Sequence, residues 1–91
     1  MNLFNVLDGL YKGEQEYITL SVRCKLTGSS FQGTFFSEDI SLNETELSIF
    51  KDDIIYYVPI SKDVELKKDN ADFENTYIYT SKDYEIFITL F

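Results

Sequence analysis

The fold is decided by one segment, LTGSSFQGTF, which covers residues 26–35. Its two glycines, Gly28 and Gly33, bracket the aromatic residue Phe31. Gly28 supplies the backbone freedom that a turn over residues 27–30 needs, because glycine has no Cβ atom. Glycine inside a strand commonly marks a sharp bend or a close approach of the backbone, and Gly33 has that position. The segment therefore predicts a turn followed by a bent strand, as in a small, strongly bent β-barrel.

The residues on both sides of this segment alternate with a period of two. Residues 17–26 place Ile18, Leu20 and Val22 on one face and mostly polar residues on the other, which predicts the clearest strand in the chain. Pro59 has no amide hydrogen to donate and is expected to end a strand or lie at a sheet edge. A five-stranded barrel over residues 17–68 is completed by predicted strands over 31–36, around 47–49, over 54–58 and over 64–66.

A helix is predicted over residues 2–12. Asn2 is a suitable N-cap, and Gly13 is a suitable C-terminal stop. We expect this helix to pack over an open end of the barrel, because its apolar residues recur at helical spacing. These residues are Leu3, Phe4, Leu7, Leu10 and Tyr11.

Residues 76–91 are predicted to form an added C-terminal β-hairpin, after a polar loop over residues 67–75. One face of its second strand is apolar, and Phe87 and Phe91 place aromatic rings on the other face. An isolated hairpin is marginal in water, so this one must pack on the barrel or on another chain. The two phenylalanines favour another chain, and a homo-oligomer is one hypothesis.

The spacing around the two glycines resembles the first motif of the Sm and Hfq family. The matching residues are Gly28, Phe31, Gly33, Phe35, Asp39, Leu42 and Asn43. Residues 55–61 also look like the Hfq stretch that reads apolar-Tyr-Lys-His-Ala-Ile-Ser. The resemblance spans residues 3–66 and implies a mainly β fold, a small Sm-like or SH3-like barrel, with RNA or nucleotides as ligands. The pocket residues that it implies are Phe31, Asp39, Asn43 and Tyr57.

The chain departs from this family where family members contact RNA. Tyr57 and Val58 stand where the family has a Lys-His or an Arg-Gly pair, and Ser41 replaces the residue that usually stacks on a base. Asn43 and Asp39 also have a simpler interpretation, as a turn-forming and a loop-capping residue. An Sm-like or Hfq-like oligomer that binds RNA or nucleotides is therefore the alternative function.

The charge balance favours a protein partner. The 91 residues include sixteen acidic residues, eight basic residues and no histidine, which gives a net charge of −8. Phosphate backbones are bound by basic surfaces, and this chain repels them overall. The preferred hypothesis is an acidic protein-interaction module, such as a phage or bacterial inhibitor or immunity-type protein, whose carboxylates face a basic target. Its candidate interface residues are Glu38, Glu44, Glu46, Asp52, Asp53, Phe87 and Phe91.

The sequence predicts neither catalysis nor a metal or other cofactor. Without histidine, Ser-His and Cys-His nucleophiles cannot form, and the one cysteine, Cys24, lies on the predicted core face. Metal-ligand spacing and a phosphate-binding glycine loop are both missing from the sequence. No apolar run is long enough to span a bilayer. We expect a non-enzymatic single domain over residues 1–91, located in the cytoplasm.

Overall fold

The computed structural model describes residues 2–68 and 76–90. Their secondary structure is mainly β with one α-helix, and the predicted fold class is confirmed at this level. Helix α1 covers Leu3–Tyr11, and a 3-10 turn over Ser37–Asp39 separates the second and third strands. The strands are β1 (Ile18–Cys24), β2 (Ser30–Phe35), β3 (Ile40–Leu42), β4 (Glu46–Lys51), β5 (Ile54–Pro59), β6 (Lys67–Lys68), β7 (Thr76–Thr80) and β8 (Tyr84–Leu90).

The strands pair into two antiparallel sheets. Sheet one has the order β2-β1-β8-β7-β6, and sheet two has the order β3-β4-β5. The predicted first hairpin is confirmed, since residues 18–23 of β1 pair with residues 30–35 of β2. Within residues 2–68 and 76–90, no strand pairing joins the two sheets into a closed barrel.

One apolar core is built from helix α1 and from both sheets. The predicted inner face of β1 is confirmed, because Ile18, Leu20 and Val22 are all buried. Phe35 of β2 and Ile49 of β4 are buried in the same cluster. The other buried apolar residues are Leu3, Val6, Leu7, Leu10, Ile40, Leu47, Val58, Ile60, Leu66, Tyr79, Ile86 and Ile88.

The turn between β1 and β2 begins earlier than predicted. The Gly28 N–H donates to the Cys24 carbonyl at 2.9 Å, and Gly28 has a φ of +74°. The turn therefore starts directly after Cys24, and Leu26 lies within the turn. The strand predicted over residues 17–26 therefore ends two residues too late, and Leu26, which its alternation would place on the core face, is 79% exposed.

Gly33 lies where a side chain of sheet two approaches β2. A Cβ atom on Gly33 would lie 2.9 Å from Cζ of Phe35 and 3.0 Å from Nζ of Lys51. The Lys51 ammonium group, at the end of β4, donates to the Gln32 carbonyl at 2.7 Å. The missing Cβ atom thus leaves room for a contact that joins the end of β4 to the outer edge of β2.

Helix α1 begins and ends as predicted. The Asn5 N–H donates to the Asn2 side chain at 3.0 Å, and the Asn2 N–H donates to the Asn5 side chain at 2.8 Å. Gly13 follows the helix with a φ of +80°. The Tyr11 hydroxyl donates to the Ile40 carbonyl at 2.6 Å, which ties the end of the helix to β3.

The C-terminal hairpin lies inside sheet one. Strand β8 pairs with β7 on one side and with residues 18–24 of β1 on the other. Ile86 and Ile88 are buried, so the apolar face of the hairpin packs within its own chain. Phe87 is exposed on the outer face, and Phe91 lies outside the described residues.

The strand predicted over residues 64–66 is wrong. This segment is irregular, and pairing starts only at Lys67 and Lys68, which form β6 along the outer side of β7. The Leu66 side chain is buried in the core, and the backbone begins to pair with β7 only at the next residue. The rest of the predicted loop, residues 69–75, lies outside the described residues.

Candidate functional site

An open groove of about 510 Å³ lies between β5 and the end of the β1–β2 hairpin. The ring of Phe31 in β2 stacks on the ring of Tyr56 in β5, with centroids 4.6 Å apart and 24° between the planes. Among residues 2–68 and 76–90, no Lys, Arg, Asp or Glu lines the groove, so it suits apolar or aromatic groups. Its larger lining residues are Val22, Phe31, Tyr56, Tyr57, Val58 and Tyr84.

The groove brings together two of the four predicted pocket residues. Phe31 and Tyr57 both line it. Asp39 and Asn43 do not line it. The Asp39 carboxylate and the Asn43 side-chain amide form hydrogen bonds within local turns instead. An Asp39 oxygen accepts the Phe36 N–H at 2.9 Å, and the Asn43 side chain accepts the N–H of the residue two positions later at 2.9 Å. These contacts fit the simpler interpretation, in which Asp39 caps a loop and Asn43 forms a turn.

Cys24 also lines this groove, although its position on β1 predicts a core side chain. Hydrogen bonds from the backbone and then the hydroxyl of Thr27 lower the pKa of the Cys24 thiol, and the Leu26 backbone adds to this effect. Burial and the charge of Asp83 oppose this effect by raising the pKa. The chain has no histidine, and no acidic or basic side chain among the described residues lines the groove together with Cys24. No group of three His, Cys, Asp or Glu residues within 2–68 and 76–90 could hold a metal ion.

The outer face of sheet two carries three exposed apolar side chains, which we call the β4–β5 face: Phe50, Ile55 and Tyr57. Phe50 pairs directly with Ile55, and Tyr57 lies on the same face opposite Ser48. Phe50 is 49%, Ile55 39% and Tyr57 61% exposed. Side chains that share one sheet face lie next to each other, so the three form one apolar surface. Such surfaces on a small protein commonly mark a binding site.

Acidic residues lie at both ends of the β4–β5 hairpin. Asp52 and Asp53 form its two-residue turn, with φ values of +52° and +64°. Glu44 and Glu46 lie at the opposite end, where Glu44 accepts a hydrogen bond from Lys62 at 3.2 Å. These four predicted interface residues therefore border the β4–β5 face.

The remaining predicted interface residues lie elsewhere. Glu38 is in the 3-10 turn between β2 and β3, and Phe87 is on the outer face of sheet one. Phe91 is outside the described residues. The structure therefore does not bring Glu38 and Phe87 into one surface with the four acidic residues of the β4–β5 hairpin.

Sequence reasoning missed Phe50 and Ile55, and the signal for them was present. Leu47 and Ile49 face the core, so alternation places Phe50 on the opposite face of β4. In β5, Tyr56 and Val58 face the core, so alternation places Ile55 on the opposite face. Strand β5 ends at Pro59, as predicted. Apolar residues at outward positions of neighbouring strands indicate an exposed apolar surface.

Within the part of the chain that the structure describes, no helix has the length and apolar character needed to cross a membrane. Comparison with protein-family models, with curated proteins and with solved structures gives no match to this chain.

Proposed function

We propose that this chain is a non-catalytic protein-binding module and that the β4–β5 face is its contact surface. The observation that carries this proposal is the exposure of Phe50, Ile55 and Tyr57 on one sheet face. Aromatic residues are enriched at protein interfaces, and an apolar centre with a polar border is the usual arrangement there. No catalytic group is needed for such a role.

The charges indicate what kind of protein is bound. The acidic residues at both ends of the β4–β5 hairpin, together with the net charge of −8, favour a target with a basic surface. Complementary charge steers the encounter and raises the association rate. A nucleic-acid-binding enzyme presents such a surface, so an inhibitor or immunity-type role against an enzyme of a phage or a bacterium fits this chemistry.

The second candidate function is that of an Sm-like or Hfq-like oligomer that binds RNA or nucleotides. It is favoured by the groove, where Phe31, Tyr56 and Tyr57 offer aromatic rings on which a base could stack. The described residues that line the groove include no basic side chain, and this counts against RNA binding, because phosphate contacts supply a large share of the affinity for RNA.

A capture experiment with two matched variants tests the proposal. Phe50 and Phe36 are each 49% exposed, but Phe36 lies outside the β4–β5 face. Tagged wild-type chain, Phe50→Ser and Phe36→Ser are expressed in the cells of origin, and the co-purifying proteins are quantified by mass spectrometry. We expect one or more basic proteins to be retained by wild type and Phe36→Ser and depleted with Phe50→Ser.

The same purified samples test the alternative. Oligo-U and oligo-A binding is measured at low and moderate salt, because phosphate contacts are strongest at low salt. Tight oligonucleotide binding that is lost in Tyr57→Ala, together with no Phe50-dependent protein partner, would replace the proposed function with the RNA-binding one.

A further inference from the structure

The two sheets have four edge strands, and three of them are short or blocked among the described residues. Strand β6 has only two residues, both lysine. Strand β3 has three residues, and its Ile40 carbonyl accepts a hydrogen bond from the Tyr11 hydroxyl. In β2, the Gln32 carbonyl accepts a hydrogen bond from the Lys51 ammonium group. Short length and lysine side chains are the means by which proteins prevent edge strands from pairing with other chains.

Strand β5 is the exception. It has six residues, none of them charged, and it lies at the edge of sheet two beside β4. Only its last residue, Pro59, has no N–H to offer, so residues 54–58 form the open part of the edge. Within residues 2–68 and 76–90, the hydrogen bonds between side chains and backbone engage other residues and not Ile55, Tyr57 or Pro59. An apolar edge strand of this length is a template for a further strand.

The hydrogen-bond pattern identifies the outward groups of β5. The Ile60 N–H donates to the Thr45 carbonyl at 3.0 Å, one step beyond the last strand pair. Bonded pairs alternate along an antiparallel ladder, so the even-numbered residues of β5 bond to β4. The odd-numbered residues Ile55 and Tyr57 therefore direct their N–H and C=O groups away from β4, toward the free edge.

The aromatic groove runs beside this edge. Tyr56, Tyr57 and Val58 line it from β5, and Phe31 lines it from β2. In a strand added to β5, every second side chain would point into the groove next to Tyr56, and the others would lie on the outer side next to Tyr57. In this mode of binding, hydrogen bonds between the two main chains give affinity, and the groove gives specificity for the inward side chains. The described residues that line the groove are uncharged, and those nearest β5 are aromatic or aliphatic, so the inward side chains should be apolar.

The charges near β5 select the outward side chains. Asp52 and Asp53 stand at the start of the strand, and neither is in an ion pair with another described residue. A second copy of this chain would bring the same two carboxylates and a further net charge of −8. Basic side chains on the outer side of the added strand would instead meet these carboxylates and the ring of Tyr57.

We propose that an extended segment of the partner protein, alternating apolar and basic residues, adds as a strand to the free edge of β5. This inference rests on the proposed function, because it specifies how a protein-binding module binds. It assigns the backbone groups of Ile55 and Tyr57 as the hydrogen-bonding groups, and the aromatic groove as the site of the apolar side chains.

The test uses the full chain, isotope-labelled for NMR, and a short peptide of alternating lysine and valine as the probe. We expect the peptide to slow hydrogen exchange at the Ile55 and Tyr57 amides by about tenfold or more, since bonded amides exchange only on opening. Amides of the even-numbered β5 residues already bond to β4 and serve as internal controls. A peptide of alternating glutamate and valine is expected not to bind.

Proline variants test the outward N–H directly. Tyr57→Pro removes both the side chain and the N–H, whereas Tyr57→Ala removes the side chain alone. Proline is tolerated at an edge position whose N–H faces solvent, so the fold should persist. We expect Tyr57→Pro to weaken peptide binding about fivefold more than Tyr57→Ala, the effect of one net hydrogen bond. Should Tyr57→Pro fail to fold, the exchange measurement on the wild-type chain decides alone.

Three outcomes would overturn the strand addition. The first is peptide binding without protection of the Ile55 and Tyr57 amides, and the second is no binding at millimolar peptide concentration. The third is protection of both amides in the peptide-free chain together with a dimeric mass by light scattering, which would make a second copy the occupant. The Phe50-dependent capture described above would still stand in the first two cases, so the two proposals can fail separately.

Discussion

At the scale of single residues, Gly33 sets how closely β2 and the end of β4 approach. The Phe35 ring is buried and occupies the space that a Cβ atom would need, at 2.9 Å. We expect Gly33→Ala to lower the free energy of unfolding by about 1–3 kcal/mol, because the core is then overpacked. Urea titration followed by circular dichroism measures this change.

Gly9→Ala is the control for the substitution itself. A Cβ atom on Gly9 would lie 3.3 Å from the carboxylate of Glu14, which is exposed and can move aside. Alanine favours a helix over glycine by about 1 kcal/mol, so Gly9→Ala should stabilise the chain. A Gly33→Ala chain as stable as Gly9→Ala would contradict the close approach at Gly33.

Tyr11 is the second residue with a defined energetic role, and its contribution depends on pH. Its hydroxyl donates to the Ile40 carbonyl, so Tyr11→Phe should cost about 1 kcal/mol of unfolding free energy at neutral pH. Burial raises the pKa of the Tyr11 hydroxyl above its ordinary value of 10.0. The folded chain therefore holds this proton to a higher pH than the unfolded chain does.

The sign of the pH effect follows from that difference in pKa. The contribution of Tyr11 is complete below pH 10.0 and is lost as the pH rises through the higher pKa of the folded state. We expect the stability difference between wild type and Tyr11→Phe to be constant near neutral pH and to shrink above pH 10.0. Urea titrations across this range measure it, and a difference that grows with pH would contradict the assignment.

At the scale of elements, the turn between β4 and β5 is locally strained. Asp52 and Asp53 both have positive φ, which is the backbone of a type I′ hairpin turn and favours Asn-Gly. We expect Asp53→Gly to raise the unfolding free energy by about 1 kcal/mol, because glycine adopts this conformation without a Cβ penalty. Asp53→Ala removes the same charge but keeps a Cβ atom, so it should destabilise the chain. Thermal unfolding of both variants measures the effect, and equal shifts would show that the charge matters more than the backbone.

Local patterns in the sequence are enough to predict most elements. Helical spacing with a cap predicts α1, and alternation predicts β1 and the C-terminal hairpin, because these signals depend on neighbours within one element. Sheet closure is different, since it depends on which edges meet. Strand β1 pairs with β2 along one edge, and its other edge could pair with a barrel strand or with β8. The alternation of residues in β1 is the same in both cases. The structure pairs this edge with β8.

The candidate site was predictable only in part, for the same reason. Phe31 and Tyr57 are far apart in the sequence, and their motif positions identify both as groove residues. The resemblance to the Sm and Hfq motif implies that Asp39 and Asn43 lie with them, but short-range hydrogen bonds use the side chains of Asp39 and Asn43 in turns. The free edge of β5 has one sequence signal, because Pro59 has no N–H to give to a ladder and is predicted to end its strand or lie at an edge. Which groups of β5 face that edge depends on the pairing with β4, which the sequence alone does not give.

At the scale of the whole molecule, net charge and size together determine how salt affects association. The radius of gyration is 12.2 Å, and the Debye length is about 10 Å at 0.1 M salt but about 3 Å at 1 M. At low salt, an approaching partner therefore interacts with much of the net charge of −8, and at high salt only with the nearest carboxylates. The two candidate occupants of the β5 edge respond to this screening with opposite signs.

We expect binding of the lysine–valine peptide to weaken between about 0.1 M and about 1 M salt, because screening removes attraction to the acidic surface. Pairing of two copies should strengthen over the same range, because screening removes repulsion between like charges. Calorimetry with the peptide and light scattering of the chain alone, at matched salt concentrations, measure the two effects separately. Peptide affinity that is unchanged by salt would show that the carboxylates of Asp52 and Asp53 do not contribute. A mass that doubles with salt while the peptide is displaced would assign the edge to a second copy.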